Sequence, residues 1–189
     1  REGFDPNALL DRARLEGMVG IAAQELQRLD AEHDLGLLLD PFQTDLRSVF
    51  VSNGRLLAEL ESIRKVLHEL ETSAILLKGA ALPHTDYQRQ IALRPLSDLD
   101  ILLKPDDAPR VRKGLLRRGF QAPSSTSGFL SNGSAAIDLH TDLSGASRIR
   151  RRSSAARFDE GRIWMDSRPL TTKDDSLRVL CAEDQFLHL

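Results

Sequence analysis

The sequence predicts an α+β or α/β domain with a small sheet (residues 73–189), preceded by a helical subdomain (residues 1–72). Three observations carry this. Apolar residues recur at helical spacing as far as Leu70. From Ala74 onward the pattern changes to short apolar runs separated by turn residues. Neither an internal repeat nor a long linker interrupts the chain.

Each element follows from local chemistry. Leu9, Leu10, Ala13, Val19, Ile21, Leu26 and Leu29 keep helical spacing, broken near Gly17 and Gly20, which predicts two short helices. Asp40 then stands as an N-cap before Pro41, and Leu46, Val49, Phe50, Leu56, Leu57, Leu60, Ile63, Val66, Leu67 and Leu70 share one side. That pattern predicts a long helix with a bend near Asn53-Gly54. "SAILLKGAAL" reads as a strand over Ala74 to Leu77, a turn at Lys78-Gly79 and a following helix. "DLDILL" is the second strand, "DDAPRVRKGLLRRGF" a helix closed by Gly119, and "SAAIDLHTDL" a third strand. "RIWMDSRPLTT" and "SLRVL" read as later extended segments. The chain starts at Arg1, and its last residues, "AEDQFLHL", read as the opening turns of a helix, so the C-terminal helical part is expected to be incomplete.

Composition narrows the functional classes. The formal net charge of −2 gives no overall basic surplus for nucleic acid, and 41% apolar residues argue against disorder. The single cysteine, Cys181, excludes an internal disulfide framework and a cysteine zinc cluster. No apolar run approaches the roughly 18 residues of a membrane span, and the first residues lack a signal-peptide core. A soluble, cytoplasmic protein is the expectation.

The chemistry-bearing residues are acidic. In "LRPLSDLDILLKP", Asp98 and Asp100 stand two apart, so on a strand both face one way while Leu99 and Ile101 face the other. Two adjacent carboxylates call for a compensating cation, and a divalent metal satisfies both, although an Asp before a strand also serves as a turn residue. Asp138, in "AIDLH", supplies a third carboxylate on a later strand. A glycine at the start of a helix lets backbone amides approach a phosphate, which is the reading for Lys78-Gly79. Converging aspartates would hold two magnesium ions, hard cations suited to an all-oxygen site.

The ordered set "LLKGAALPHTDYQ", "LRPLSDLDILLKP" and "IDLH" resembles the polymerase-beta-like nucleotidyltransferase superfamily, most closely its bacterial group of uncharacterised nucleotidyltransferases. The resemblance implies an α+β fold with a small mixed nucleotidyltransferase-type sheet. It also implies transfer of a nucleoside monophosphate from a nucleoside triphosphate such as ATP, with Mg2+ or Mn2+, to an acceptor. The acceptor itself is not identified by the resemblance; a small molecule, peptide or protein is expected ahead of a polynucleotide. Asp98, Asp100 and Asp138 take the metal-binding and catalytic roles; Lys78, Gly79, Ala80 and Arg94 take the nucleotide. The chain departs from the pattern at Ala80, where better-known transferases often carry Ser, and at Thr141, where the closer group often carries Trp. The lost hydroxyl leaves a second expectation open: a catalytically silent nucleotide-binding or regulatory module of the same fold. His140 is expected on the face of Asp138. His84, Tyr87 and Trp164 read as packing, surface or lid residues, Cys181 as buried, and "RIRRR" at 148–152 as a solvated basic loop.

Overall fold

The computed structural model describes residues 5–33, 40–85, 90–125, 127–143, 159–172 and 174–188. Tyr87 and the 148–152 basic run lie outside these residues. Helix α1 (Pro6–Leu15) starts where the Asp5 carboxylate accepts the Asn7 amide at 2.9 Å, with Pro6 at the first position. Helix α2 (Val19–His33) follows after a turn at Gly17, whose φ of +64 suits glycine. Helix α3 (Asp40–Glu69) then runs 30 residues without interruption, through Asn53-Gly54. The pair expected to mark a bend lies inside a continuous helix, because the Asn53 amide bonds to another part of the chain and leaves the helical ladder alone.

Two apolar clusters lie along α3. Leu10, Ala13, Val19, Ala23 and Phe42 close a small core among α1, α2 and the start of α3. Further along, Leu56, Leu60, Ile63, Val66 and Leu67 enter the main core beneath the sheet. Helix α5 (Ala108–Arg117) packs beside α3, and a Cβ on Gly114 would fall 2.6 Å from a Val66 methyl carbon. Gly119, at φ +93, ends that helix as the sequence predicts.

The sheet is mixed and six-stranded, in the order β3-β4-β2-β1-β6-β5. Its strands are β1 (Ala74–Leu76), β2 (Leu99–Leu102), β3 (Phe129–Ser131), β4 (Ala136–His140), β5 (Arg168–Thr171) and β6 (Asp174–Val179). β1 is antiparallel to β2 and parallel to β6, while β2 and β4 run parallel. Together with seven α-helices among the described residues, this is the α+β architecture expected, with a small mixed nucleotidyltransferase-type sheet flanked by helices. Period-two alternation sorts the side chains. Leu99, Ile101, Ile137 and Leu139 enter the main core under α3 and α5. On the opposite face, Ile75, Leu77, Leu102, Leu143 and Leu180 form a second cluster with Ile163 of helix α6 (Glu160–Asp166).

Helix α6 corrects the extended reading of "RIWMDSRPLTT". The Asp159 carboxylate accepts the Arg162 amide at 3.1 Å and caps a helix over Glu160–Asp166; only Arg168 onward is strand. Trp164 packs against the second cluster, with the Lys104 ammonium 5.3 Å from its ring centroid. The chain reaches helix α7 (Ala182–His188) through the buried Cys181.

Candidate active site

Strand register builds the site. β2 and β4 are parallel with Asp100 opposite Asp138 and Leu102 opposite His140, so the two aspartates are cross-strand neighbours on the face away from the main core. The His140 Nε2 lies 2.7 Å from Asp100 Oδ1 and 3.5 Å from Asp138 Oδ2, joining both carboxylates. Ligand atoms of Asp100, Asp138 and His140 all lie within 4.8 Å of one another.

A third partner arrives from β1. The Leu77 amide donates to the Asp100 carbonyl at 2.9 Å, and the next residue, Lys78, turns back with φ +48. Its ammonium donates to Asp100 Oδ1 at 2.5 Å. A non-glycine residue in the left-handed region costs about 1 kcal/mol or more, so the fold holds Lys78 there against a local preference. The left-handed residue of this turn is Lys78; Gly79 serves another purpose. A Cβ on Gly79 would fall 2.9 Å from a Leu96 methyl carbon, so the glycine lets the short helix α4 (Lys78–Ala81) close onto the chain before β2. The Ala80 side chain is buried in the main core, which leaves only its backbone to meet a ligand.

Asp100 is 6% exposed. Burial pushes its carboxyl up, but hydrogen bonds from His140 and Lys78 outweigh that and hold it below the usual carboxylate range.

Asp98 stands just ahead of β2, half-buried, and accepts the Ser97 hydroxyl at 2.7 Å. It is not a member of the Asp100–Asp138–His140 cluster. The sequence places Asp98 on the strand itself; pairing begins at Leu99, so strand alternation does not set its direction.

Asn53, which the sequence marks only as the place of a bend, holds the approach to Asp98. Its side-chain amide donates to the carbonyls of Ile91 at 2.5 Å and Arg94 at 2.7 Å, and its oxygen accepts the Leu96 amide at 2.9 Å. Gly20 of α2 lies against the same segment, where a Cβ would come 2.2 Å from the Ala92 carbonyl oxygen. The signal was present: Asn53 is a polar residue within the apolar stripe of α3.

Arg94 is exposed and lines a cleft of about 820 Å³ with Leu82, His84 and Thr85. The other wall is Arg168, Pro169, Val179, Leu180, Ala182, Gln185 and Phe186.

A sequence model for uncharacterised nucleotidyltransferases matches residues 2–189. The chain belongs to this family. No curated protein and no solved structure matches the chain significantly. Family membership agrees with the mixed sheet and with an acidic cluster that could hold a divalent cation. Among the described residues no helix is long and apolar enough to cross a membrane.

Proposed function

We propose that the protein transfers a nucleoside monophosphate from a nucleoside triphosphate to an acceptor hydroxyl or phosphate, with Asp98, Asp100 and Asp138 as its acidic residues. One observation carries the reading. In a chain of this family, the β2–β4 register sets two carboxylates side by side, with His140 bridging them.

The donor set fits a divalent cation. Two carboxylates and an imidazole offer hard oxygen and borderline nitrogen atoms within 4.8 Å of one another. Asp100, Asp138 and His140 would hold the ion, with Asp98 adding a third carboxylate from the mouth of β2. Bound Mg2+ or Mn2+ supplies Lewis-acid polarisation of the α-phosphate and charge neutralisation at the leaving pyrophosphate.

The protein's own groups do the rest. The acceptor oxygen forms a bond to the α-phosphorus as the bond from that phosphorus to the bridging oxygen of the β-phosphate breaks, and pyrophosphate leaves. Asp138, beside the reacting centre, takes the acceptor proton. Lys78 neutralises the β- or γ-phosphate as a point charge, and the Gly79 and Ala80 backbone approaches the same group.

Calorimetric titration with ATP, CTP, GTP and UTP, with Mg2+ or Mn2+, tests the reading on wild type and on Asp100→Ala. Binding of at least one nucleotide that weakens in the variant is expected; no binding, or binding indifferent to the substitution, refutes it.

A second reading is a nucleotide-binding module without turnover. The Lys78 ammonium against Asp100 Oδ1 favours it, since a protein cation occupies the carboxylate that a metal would use. Pyrophosphate release across an acceptor panel separates the two, because a silent module binds nucleotide and releases none.

A further inference from the structure

Away from the acidic cluster, α3 and the turn between β3 and β4 enclose a groove of about 590 Å³. Arg47, Val51 and Arg55 recur every fourth residue along the helix and form one wall, with Ser48 and Ser52 beside them. Gly133 and Ser134 of the turn form the other. The groove shares no lining residue with the acidic cluster or with the cleft of Arg94.

Its charge is of one sign and uncompensated. No carboxylate lines the groove, and neither guanidinium has a hydrogen bond or ion pair among the described residues. Elsewhere the arginines find partners: Arg14 meets Asp45, Arg28 meets Glu32 and Arg64 meets Asp174. Glu59, four residues beyond Arg55 and within reach of it on the same helix face, is engaged elsewhere. Its Oε1 accepts the Asn132 side-chain amide at 3.1 Å.

That contact also fixes the second wall. Asn132 Oδ1 accepts the Ser134 and Ala135 amides at 3.0 and 2.9 Å, and Ser131 Oγ accepts the Gly133 amide at 3.3 Å. The turn is thus bonded within itself and tied to α3, which keeps the ordering cost of binding low.

We propose that this groove binds the phosphoryl group of a small phosphorylated molecule, at a site apart from the chemical step. Arg47 and Arg55 stand one at each end of the helical wall, about 12 Å apart along the axis, and guanidinium forks suit phosphate oxygens. Ser48, Ser52 and Ser134 add hydroxyl donors, and the half-exposed Val51 between the arginines offers apolar surface to the carbon part. A compact anion suits the groove better than a nucleic-acid strand. The stripe continues into Gln43 before Arg47 and Glu59 after Arg55, so the positive charge ends with the groove. Asn53, which holds the segment before Asp98, lies in the same turn of helix, and a ligand here sits beside the support of the acidic cluster rather than in it.

The test is a heteronuclear NMR titration with sodium phosphate and with glycerol phosphate, at constant ionic strength and without divalent metal. Wild type is compared with Arg47→Gln, Arg55→Gln, Asn132→Ala, Lys78→Gly and Arg117→Gln, each verified as folded by circular dichroism. Saturable shifts at the Gly133 and Ser134 amides and along residues 48–55 are expected, with the ester bound at least as tightly as free phosphate. Each groove arginine variant should weaken binding roughly tenfold, and Asn132→Ala, which keeps the charge and frees the turn, several-fold. Lys78→Gly removes the cation beside Asp100, and Arg117→Gln an exposed arginine of α5; both should bind as wild type does. Shifts that do not saturate, or that weaken as much in Arg117→Gln, mean a diffuse surface effect and overturn the site. Shifts lost in Lys78→Gly place the anion at the acidic cluster and overturn it too. If Asn132→Ala binds as wild type does, the turn is no wall of the site and the groove assignment falls; if phosphate binds and the ester does not, the ligand is the inorganic ion. If a labelled RNA strand binds through Arg47 and Arg55 while neither small anion does, a polynucleotide surface replaces the proposal. No readout here involves a nucleoside triphosphate, so the result stands apart from the nucleotidyl-transfer reading.

Discussion

Asp100 sits at 6% exposure with two cationic or polarisable partners on one oxygen, Lys78 Nζ at 2.5 Å and His140 Nε2 at 2.7 Å. Removing its charge leaves Lys78 without a counter-ion and the cluster with one carboxylate. Asp100→Asn should therefore abolish nucleotidyl transfer while the fold persists, as read by pyrophosphate release and circular dichroism. Asp138→Asn should lower the rate by roughly 10²–10⁴-fold if Asp138 takes the acceptor proton, with a smaller effect on nucleotide affinity. Lys78 provides a different test, because its φ of +48 is strained for any side chain. Lys78→Gly should keep or slightly raise thermal stability while weakening triphosphate binding; Lys78→Ala loses the cation and keeps the strain, so its melting temperature should fall below that of the glycine variant.

Elements are held in place by a few buried polar contacts. Asn53 on α3 satisfies two carbonyls and one amide of the segment that leads to Asp98. Asn53→Ala should cost roughly 1–3 kcal/mol for the unsatisfied backbone groups, read as a lower denaturant midpoint. It should also weaken nucleotide binding, because Arg94 belongs to the released segment. At the other end of the helix, Asp174 on β6 meets Arg64 at 3.0 Å and His68 at 3.3 Å. Burial opposes its ionisation, but the Ser176 amide and the Arg64 guanidinium prevail and hold its carboxyl well below the usual range. A depressed folded-state value means that the stabilisation is present above the unfolded value, about 4, and disappears as pH falls through the folded one. Acid unfolding of wild type should therefore steepen below about pH 4, and Asp174→Asn should flatten that part of the curve.

At the scale of the whole molecule, the sheet has a covering layer on each face, and α3 supplies much of one. Leu56, Leu60, Ile63, Val66 and Leu67 share a core with Leu99, Ile101 and Ile137, so the helical segment is part of the sheet's own packing. A fragment of residues 73–189 would present that apolar face to water. It should be insoluble or molten, with lost near-ultraviolet circular dichroism, whereas the longer chain folds.

How far these features were legible depends on whether each is local. Helix periodicity, the strand at "DLDILL", Gly119 as a helix stop and the alternation of Leu99 and Ile101 with Asp100 are properties of neighbouring residues, and the chain alone determined them. The three aspartates were likewise visible as acidic residues beside apolar runs. Tertiary structure decided what meets what. That Asp100 lies opposite Asp138 is a matter of parallel register between strands whose partner residues are 38 apart in sequence, Leu99 with Ile137 and Leu102 with His140. Helix α6 was hidden because its cap lies at the edge of a polar run and its few residues carry little periodicity. Asn53 reads as a helix interruption until its partners at Ile91, Arg94 and Leu96 are known, and Arg168 as one more surface arginine until β5 brings it to the cleft of Arg94. Local sequence sets the conformation of a segment through sterics and side-chain spacing. Which segments become neighbours is set by burial and register over long separations, and there the site is assembled.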